Sequence, residues 1–157
     1  MSESKRVLAI DPGTLCGWAL QDGAQRYSGT WNLKPTRSDG GGMRYVRLKR
    51  CLGEIGRVDL VVYEEVKHHK GTEASHIYGG IELALTGWCE EQNPKIPYTA
   101  VPVGTIKKHA TGKGNADKDT MIAAFTKRNG YAPFDDNEAD AWFLLDYAMR
   151  EVVPAKG

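Results

Sequence analysis

The strongest constraint on the fold is a pair of short apolar runs, each leading directly into a carboxylate. Residues 58–66 (VDLVVYEEV) carry the clearest strand pattern in the chain and contain two adjacent glutamates near their end. Residues 6–10 (RVLAI) lead into Asp11 and then into a Pro-Gly-Thr turn. Both runs predict buried strands. Both also place an acid at a carboxyl strand end, which is where ligands bind in α/β sheets.

The remainder of the chain alternates between further strand and helix patterns. Hydrophobic spacing and turn residues predict two further strands at 17–20 and 25–33, and then a helix from Met43 to Ile55 that ends at Gly56. After the strand at 58–66 they predict a polar histidine-rich loop at 67–75, a helix at 77–91 and a strand at 97–103. The rest of the chain predicts a short helix at 104–110, a glycine- and lysine-containing loop at 111–116, a helix capped by Asp117 and ending near 127, and a last helix at 137–152. A meander of strands followed by alternating helices predicts an α/β fold. We expect a five-stranded mixed sheet flanked by helices, in one domain spanning residues 1–157.

Composition places the chain among ordinary soluble globular proteins, with 41% hydrophobic and 26% charged residues. No apolar run approaches the roughly 20 residues of a membrane span. The first residues lack the apolar segment of a signal peptide, so we expect a cytoplasmic protein with no membrane partner. Cys16, Cys51 and Cys89 form no CxxC pair and predict free thiols rather than a disulfide framework or a zinc site.

The net charge of +1 gives no global signature of nucleic-acid binding, but the basic residues are clustered. Three stretches stand out, and each is either a solvated face or a phosphate-binding track: Arg44, Arg47, Lys49 and Arg50; residues 67–70 (KHHK); and Lys107, Lys108, Lys113 and Lys118.

Three acids stand where apolar elements end or begin: Asp11, Glu64 and Asp140. A carboxylate within a buried apolar run is costly unless it is paired or binds a cation. Oxygen ligands suit Mg²⁺ or Mn²⁺, and two such ions roughly 4 Å apart can promote phosphodiester hydrolysis. Each acid also has a simpler interpretation, as a turn residue, one of two alternating strand glutamates, or favourable charge at a helix amino terminus.

The acidic motifs together resemble those of the RuvC-type Holliday junction resolvases. The similarity rests on LAIDPGT (residues 8–14), VVYEEV (61–66), DDNEADA (135–141) and the basic segment IKKHATGKGNADK (106–118). It implies an RNase H-like fold and a homodimer that cuts four-way DNA junctions with symmetric nicks, using Mg²⁺ or Mn²⁺ and two ions per active site. The short chain suggests a phage-type member, and the helix at 77–91 is the implied dimer interface.

The resemblance also assigns roles position by position. Asp11, Glu64 and Asp140 correspond to metal ligands, and Lys107 and Lys118 to lysines near the scissile phosphate. Asn137 stands where the family usually has an acid. It offers a carbonyl oxygen without charge, so the fourth position is taken either by Asn137 or by Asp136, one helical turn before Asp140.

DNA contacts are expected from a further set of basic residues: Lys67, His68, His69, Lys70, Lys108 and Lys113. The family often carries an aromatic residue after the central strand to open the junction, and this chain has histidines there instead. Histidine also stacks on bases. Two rival functions remain: an RNase H-like nuclease for other branched DNA or RNA–DNA hybrids, and a catalytically weakened junction-binding protein.

Overall fold

A computed structural model describes residues 5–65 and 71–156 of the chain. It contains one mixed sheet with the strand order β3-β2-β1-β4-β5. The strands are β1 (Arg6–Asp11), β2 (Leu15–Asp22), β3 (Gln25–Asn32), β4 (Leu60–Glu65) and β5 (Tyr98–Pro102). The first three form an antiparallel meander, whereas β4 and β5 run parallel to β1. The predicted five-stranded mixed sheet is therefore confirmed.

Helices cover both faces of this sheet. They are α1 (Met43–Ile55), α2 (Thr72–Glu91), α3 (Val103–Thr111), α4 (Lys118–Asn129), α5 (Asp136–Tyr147), a π-helical turn (Ala148–Val152) and α6 (Val153–Lys156). Alternation along β1 divides the core, since successive strand side chains point to opposite faces. Val7 and Ala9 pack with α3, α4 and α5 on one face, and Leu8 and Ile10 pack with α1 and α2 on the other. No helix in the described ranges is long and apolar enough to span a membrane.

Several predicted boundaries shift for local reasons. Helix α2 starts at Thr72, so residues 72–75 are helical rather than part of the predicted loop; Gly71 precedes it with φ 88°. The central strand starts at Leu60 rather than at residue 58, and the preceding Asp59 is tied to Arg6, whose backbone N–H donates to its carboxylate at 2.8 Å. The last helix begins at Asp136 and changes to a π-helical turn at Ala148. Val66 and residues 67–70 lie outside the described residues.

Two predicted local features hold. The Asp117 side chain caps α4 by accepting a hydrogen bond from the Thr120 backbone N–H at 2.9 Å. Gly56 ends α1 with φ 79°, a conformation that favours glycine. All three cysteines are free, and two of them, Cys16 and Cys89, are buried.

Helix α5 lies unusually close to the sheet at Gly17 of β2. A Cβ atom at this position would collide with the backbone carbonyl of Asn137. Glycine therefore permits the amino end of α5 to rest directly on the strand that pairs with Asp11. This contact brings the DDNEADA segment to the carboxyl end of β1.

Candidate active site

The three predicted acids converge at the carboxyl ends of β1 and β4. The parallel register pairs Ile10 with Tyr63, so the next residues, Asp11 and Glu64, lie side by side on adjacent strands. Both side chains are buried, with 4% and 7% exposure. Asp140 reaches the same place from α5, which contacts both strands. Folding thus gathers acids that are separated by 53 and 76 positions in the sequence.

Burial and the proximity of these carboxyls to one another raise the pKa of Asp11 and of Asp140. Burial, followed by the charges of Glu64 and Asp140, raises the pKa of Asp11 well above its usual range, and Asp11 and Glu64 share a hydrogen bond. A hydrogen bond between two carboxyls requires a proton on one of them. Burial and the charges of Glu64 and Asp136 raise the pKa of Asp140 to about 8, although the Lys107 ammonium acts in the opposite direction.

Asp140 has an unsatisfied polar atom. Its Oδ1 atom is buried and has no hydrogen-bond partner within residues 5–65 and 71–156. Among these residues, no three His, Cys, Asp or Glu side chains form a ready-made metal cluster. The Asp11 and Glu64 carboxyls face each other instead. A divalent cation fits this donor set, because it would satisfy the orphaned oxygen and replace the shared proton with a positive charge.

Asn137 and Asp136 occupy different surroundings beside the acids. Asn137 donates a hydrogen bond from Nδ2 to Asp135 Oδ2 at 3.2 Å. It also lines a cavity of about 310 Å³ together with Gly13, Thr14 and Tyr78, among others. Asp136 instead acts through its charge, which contributes to the raised pKa of both Asp140 and Tyr78. Both residues therefore lie at the edge of the acid cluster.

The predicted lysines separate into two groups. The Lys107 ammonium on α3 lies close enough to lower the pKa of both Asp140 and Asp117. Lys118 is exposed and begins α4, directly after the capping Asp117. Lys113 is exposed in the intervening loop, and Lys108 is exposed beside Tyr147 and Glu151. Lys67, His68, His69 and Lys70 fall within the segment outside the described residues.

One residue of the site, Tyr78 on α2, was not predicted from the sequence. Burial raises its pKa to about 12, and the charges of Asp11, Glu64, Asp140 and Asp136 contribute in that order. The hydroxyl therefore stays protonated near neutral pH. In the sequence Tyr78 is one more large residue on an apolar helix pattern, and only the packing of α2 over the sheet places it among acids.

The raised pKa of Asp140 predicts a pH-dependent stability change for Asp140→Asn. Between an unfolded pKa near 3.8 and a folded pKa of about 8, only the unfolded state is ionised, so folding stability falls as pH rises through this window. Asn removes that penalty. In the presence of a chelator, we expect Asp140→Asn to raise the melting temperature at pH 8 and to change it much less at pH 4.

The comparison variant is Asp22→Asn, at the opposite end of the sheet, where Asp22 forms an exposed ion pair with Arg6 at 3.4 Å. Thermal unfolding followed by circular dichroism checks both variants. Equal melting-temperature gains for Asp140→Asn at the two pH values would contradict the raised pKa of Asp140.

No protein-family model and no curated protein matches the chain. A Thermus thermophilus RuvC in complex with a Holliday junction substrate superposes with a TM-score of 0.72 at 23% identity, covering 89% of this chain and 90% of that one. Another Thermus thermophilus RuvC structure gives 0.68 at 21% identity, covering 92% and 96%. The yeast mitochondrial Holliday junction resolvase Ydc2 gives 0.62 at 14% identity, covering 96% and 80%. The resemblance inferred from the motifs is thereby confirmed in three dimensions: the chain has the RNase H-like fold of the RuvC-type resolvases.

Proposed function

We propose that this protein is a metal-dependent endonuclease that cuts four-way DNA junctions at symmetry-related positions. The observation that carries the proposal is the buried cluster of Asp11, Glu64 and Asp140, with an unpartnered Asp140 oxygen, at the carboxyl ends of β1 and β4. The cluster occurs in a fold shared with a RuvC bound to a Holliday junction and with a resolvase from yeast mitochondria.

In this proposal Asp11, Glu64 and Asp140 would hold Mg²⁺ or Mn²⁺, with two ions per site as the family resemblance implies. Such ions supply Lewis-acid stabilisation of the phosphate and activate water for attack. The protein must first release the proton shared by Asp11 and Glu64, so ion binding should strengthen as pH rises. Asn137 or Asp136 completes the ligand set from the amino end of α5.

The neighbouring residues have roles that follow from their charge. The Lys107 ammonium, beside Asp140, offsets negative charge that develops on the phosphate during cleavage. Lys118 has the same proposed role from the start of α4. Tyr78 keeps its proton and so acts as a hydrogen-bond donor rather than as a base. Lys108, Lys113 and residues 67–70 are the proposed contacts to the DNA backbone and bases.

Asp11→Asn tests the metal site directly. We expect it to reduce cleavage of a synthetic four-way junction by at least about 10³-fold, because a catalytic metal is worth several kcal/mol. Junction affinity should be retained, since no basic residue is changed. Single-turnover cleavage with Mg²⁺ and Mn²⁺, with cut positions mapped on all four strands, measures the rate, and a gel-shift assay with Ca²⁺ measures affinity.

The matched control is again Asp22→Asn, which should cleave like the unmodified protein. Full activity of Asp11→Asn would refute the site. If the unmodified protein binds junctions but cuts none in either ion, the junction-binding function is the correct one. A strong preference for flaps or RNA–DNA hybrids would instead favour the rival nuclease.

Asn137→Asp tests which residue supplies the fourth ligand position. If Asn137 faces the ions, an added carboxylate should preserve or raise the cleavage rate and lower the Mg²⁺ concentration needed for half-maximal activity. Asn93→Asp, an exposed change after α2, controls for charge alone. A loss of activity with an unchanged Mg²⁺ requirement would assign the position to Asp136 and leave Asn137 with its hydrogen bond to Asp135.

The homodimer is proposed to form through the outer surface of α1 and α2. Tyr45, Gly80, Leu83, Ala84 and Gly87 line an apolar depression of about 400 Å³, flanked by Lys49 and Glu91. Leu83 is 73% exposed and Val46 43%. Gly80 serves packing within the chain, because a Cβ there would collide with the Tyr45 ring, whereas Gly87 borders open space. Two coordinated cuts require two active sites, which a pair of chains supplies.

Leu83→Glu is expected to convert the dimer to a monomer, because it places a charge in the centre of the apolar contact. Sedimentation velocity across a concentration series should show the dissociation constant rising by at least about 100-fold. Tyr27→Glu, an exposed hydrophobic position on β3, is the control and should stay dimeric. An unchanged dimer in Leu83→Glu would place the interface elsewhere.

A further inference from the structure

A second charged cluster lies at the other end of α5 and is built around Asp146. This carboxylate is 3% exposed and, within residues 5–65 and 71–156, lies against four basic side chains. Arg26 Nη1 lies 3.0 Å from Oδ1, His109 Nε2 lies 2.8 Å from Oδ2, Arg128 Nη2 lies 3.4 Å from Oδ1, and Arg150 Nε lies 3.4 Å from Oδ2. Burial alone would raise the pKa of Asp146, but hydrogen bonds from His109, Arg26 and Arg128 lower it to about 2.

Aromatic rings reinforce the same cluster. The guanidinium groups of Arg26 and Arg128 lie 4.8 Å and 5.0 Å from the centroid of the Trp142 ring. The His109 ring packs edge-on against Tyr147 at 5.6 Å. Asp146 therefore joins α5 to β3 through Arg26, to α4 through Arg128 and to α3 through His109. A charged group held by several short contacts in a buried place has little freedom to move.

The link to α3 matters because that helix also carries Lys107. His109 follows Lys107 by two residues on α3, and this helix is anchored further by Ile106, which is buried in the core on the same face of the sheet. On α5, Asp146 follows Asp140 by six residues, or about 9 Å of helix. Helices α3 and α5 pack against each other. Fixing His109 against Asp146 therefore sets where Lys107 stands relative to Asp140.

We propose that Asp146 and His109 form a positioning pair that holds Lys107 beside the acid cluster. The inference rests on the proposed nuclease function for its consequence in catalysis, but the positioning itself is independent of that function. His109 is the member of the cluster that belongs to α3. The three arginines come from β3, α4 and the π-helical turn that follows α5. Removing His109 should therefore affect Lys107, whereas removing one of the arginines should not.

His109→Ala is the informative change, because replacing Asp146 would leave three arginines without their counter-charge and endanger the fold. Arg150→Ala is the matched control. Arg150 contacts the same Oδ2 atom, but its side chain is 61% exposed, and it lies in the π-helical turn that continues α5, so it does not link Asp146 to α3. His109→Gln is the conservative variant, since its amide N–H can donate to Asp146 as the imidazole does.

The first measurement follows the position of Lys107 without DNA or metal. Lysines are acylated briefly at neutral pH, and the modified residues are quantified by mass spectrometry. Lys108, which is exposed on the same helix, serves as the internal reference. Acylation of half-buried Lys107, relative to Lys108, should rise several-fold in His109→Ala. It should stay near the unmodified value in Arg150→Ala and in His109→Gln. An unchanged ratio in His109→Ala overturns the proposal.

The second measurement is a double-mutant cycle in single-turnover junction cleavage. If His109 acts through Lys107, His109→Ala should slow cleavage about 10-fold in the unmodified background and leave junction affinity unchanged. It should have no additional effect when Lys107 is already alanine. An equal loss in both backgrounds, or an equal loss in Arg150→Ala, would show general destabilisation instead and overturn the proposal. If no variant cleaves, the nuclease function fails, while the acylation result still decides the positioning.

Discussion

The close approach of α5 to the sheet is the contact on which the rest of the site depends. Gly17 has no side chain, and this allows the Asn137 carbonyl to sit directly over β2. The amino end of α5 is then fastened to β3, where Thr30 donates to Asp135 at 2.6 Å and Ser28 donates to Glu138 at 2.7 Å. Asp140 can reach Asp11 and Glu64 only because the helix is held at this depth.

Two aspartates on the same helix illustrate how environment assigns different tasks to one residue type. Asp146 is surrounded by three arginines and a histidine, and its pKa falls to about 2. Asp140 is buried near other carboxylates, and its pKa rises to about 8. A buried carboxylate with basic partners stabilises the packing around it, whereas a buried carboxylate without such partners favours binding of a cation. The carboxyl end of α5, with Asp146, therefore stabilises the fold, and the amino end, with Asp140, is suited to metal binding.

The acid cluster also has neighbours on α5 and α2 that differ in charge. Asn137 contributes no negative charge, but Asp136 lies next to it and acts on both Asp140 and Tyr78. Tyr78 adds a protonated hydroxyl from the opposite face of the sheet, carried by α2. The site is therefore assembled from both helical layers, with one strand-borne pair of acids between them.

Much of the fold was predictable because the strands and most helices carry strong local patterns. The runs at 6–10 and 58–66 are apolar and bounded by turn residues, and Gly56 and Asp117 mark helix ends through their own conformational preferences. The start of α2 was misplaced because residues 72–75 (TEAS) carry no apolar spacing, although they complete the first turn of the helix.

The sequence by itself determined the acids and their order, because a carboxylate next to a buried strand is visible in a one-dimensional pattern. Tertiary structure alone decided which side chains meet them. Tyr78 beside the acids and the cluster around Asp146 depend on distances between elements far apart in the chain, and hydrophobic periodicity does not encode those distances. Asp146 shows this most clearly, since its partner Arg26 lies 120 positions away along the sequence.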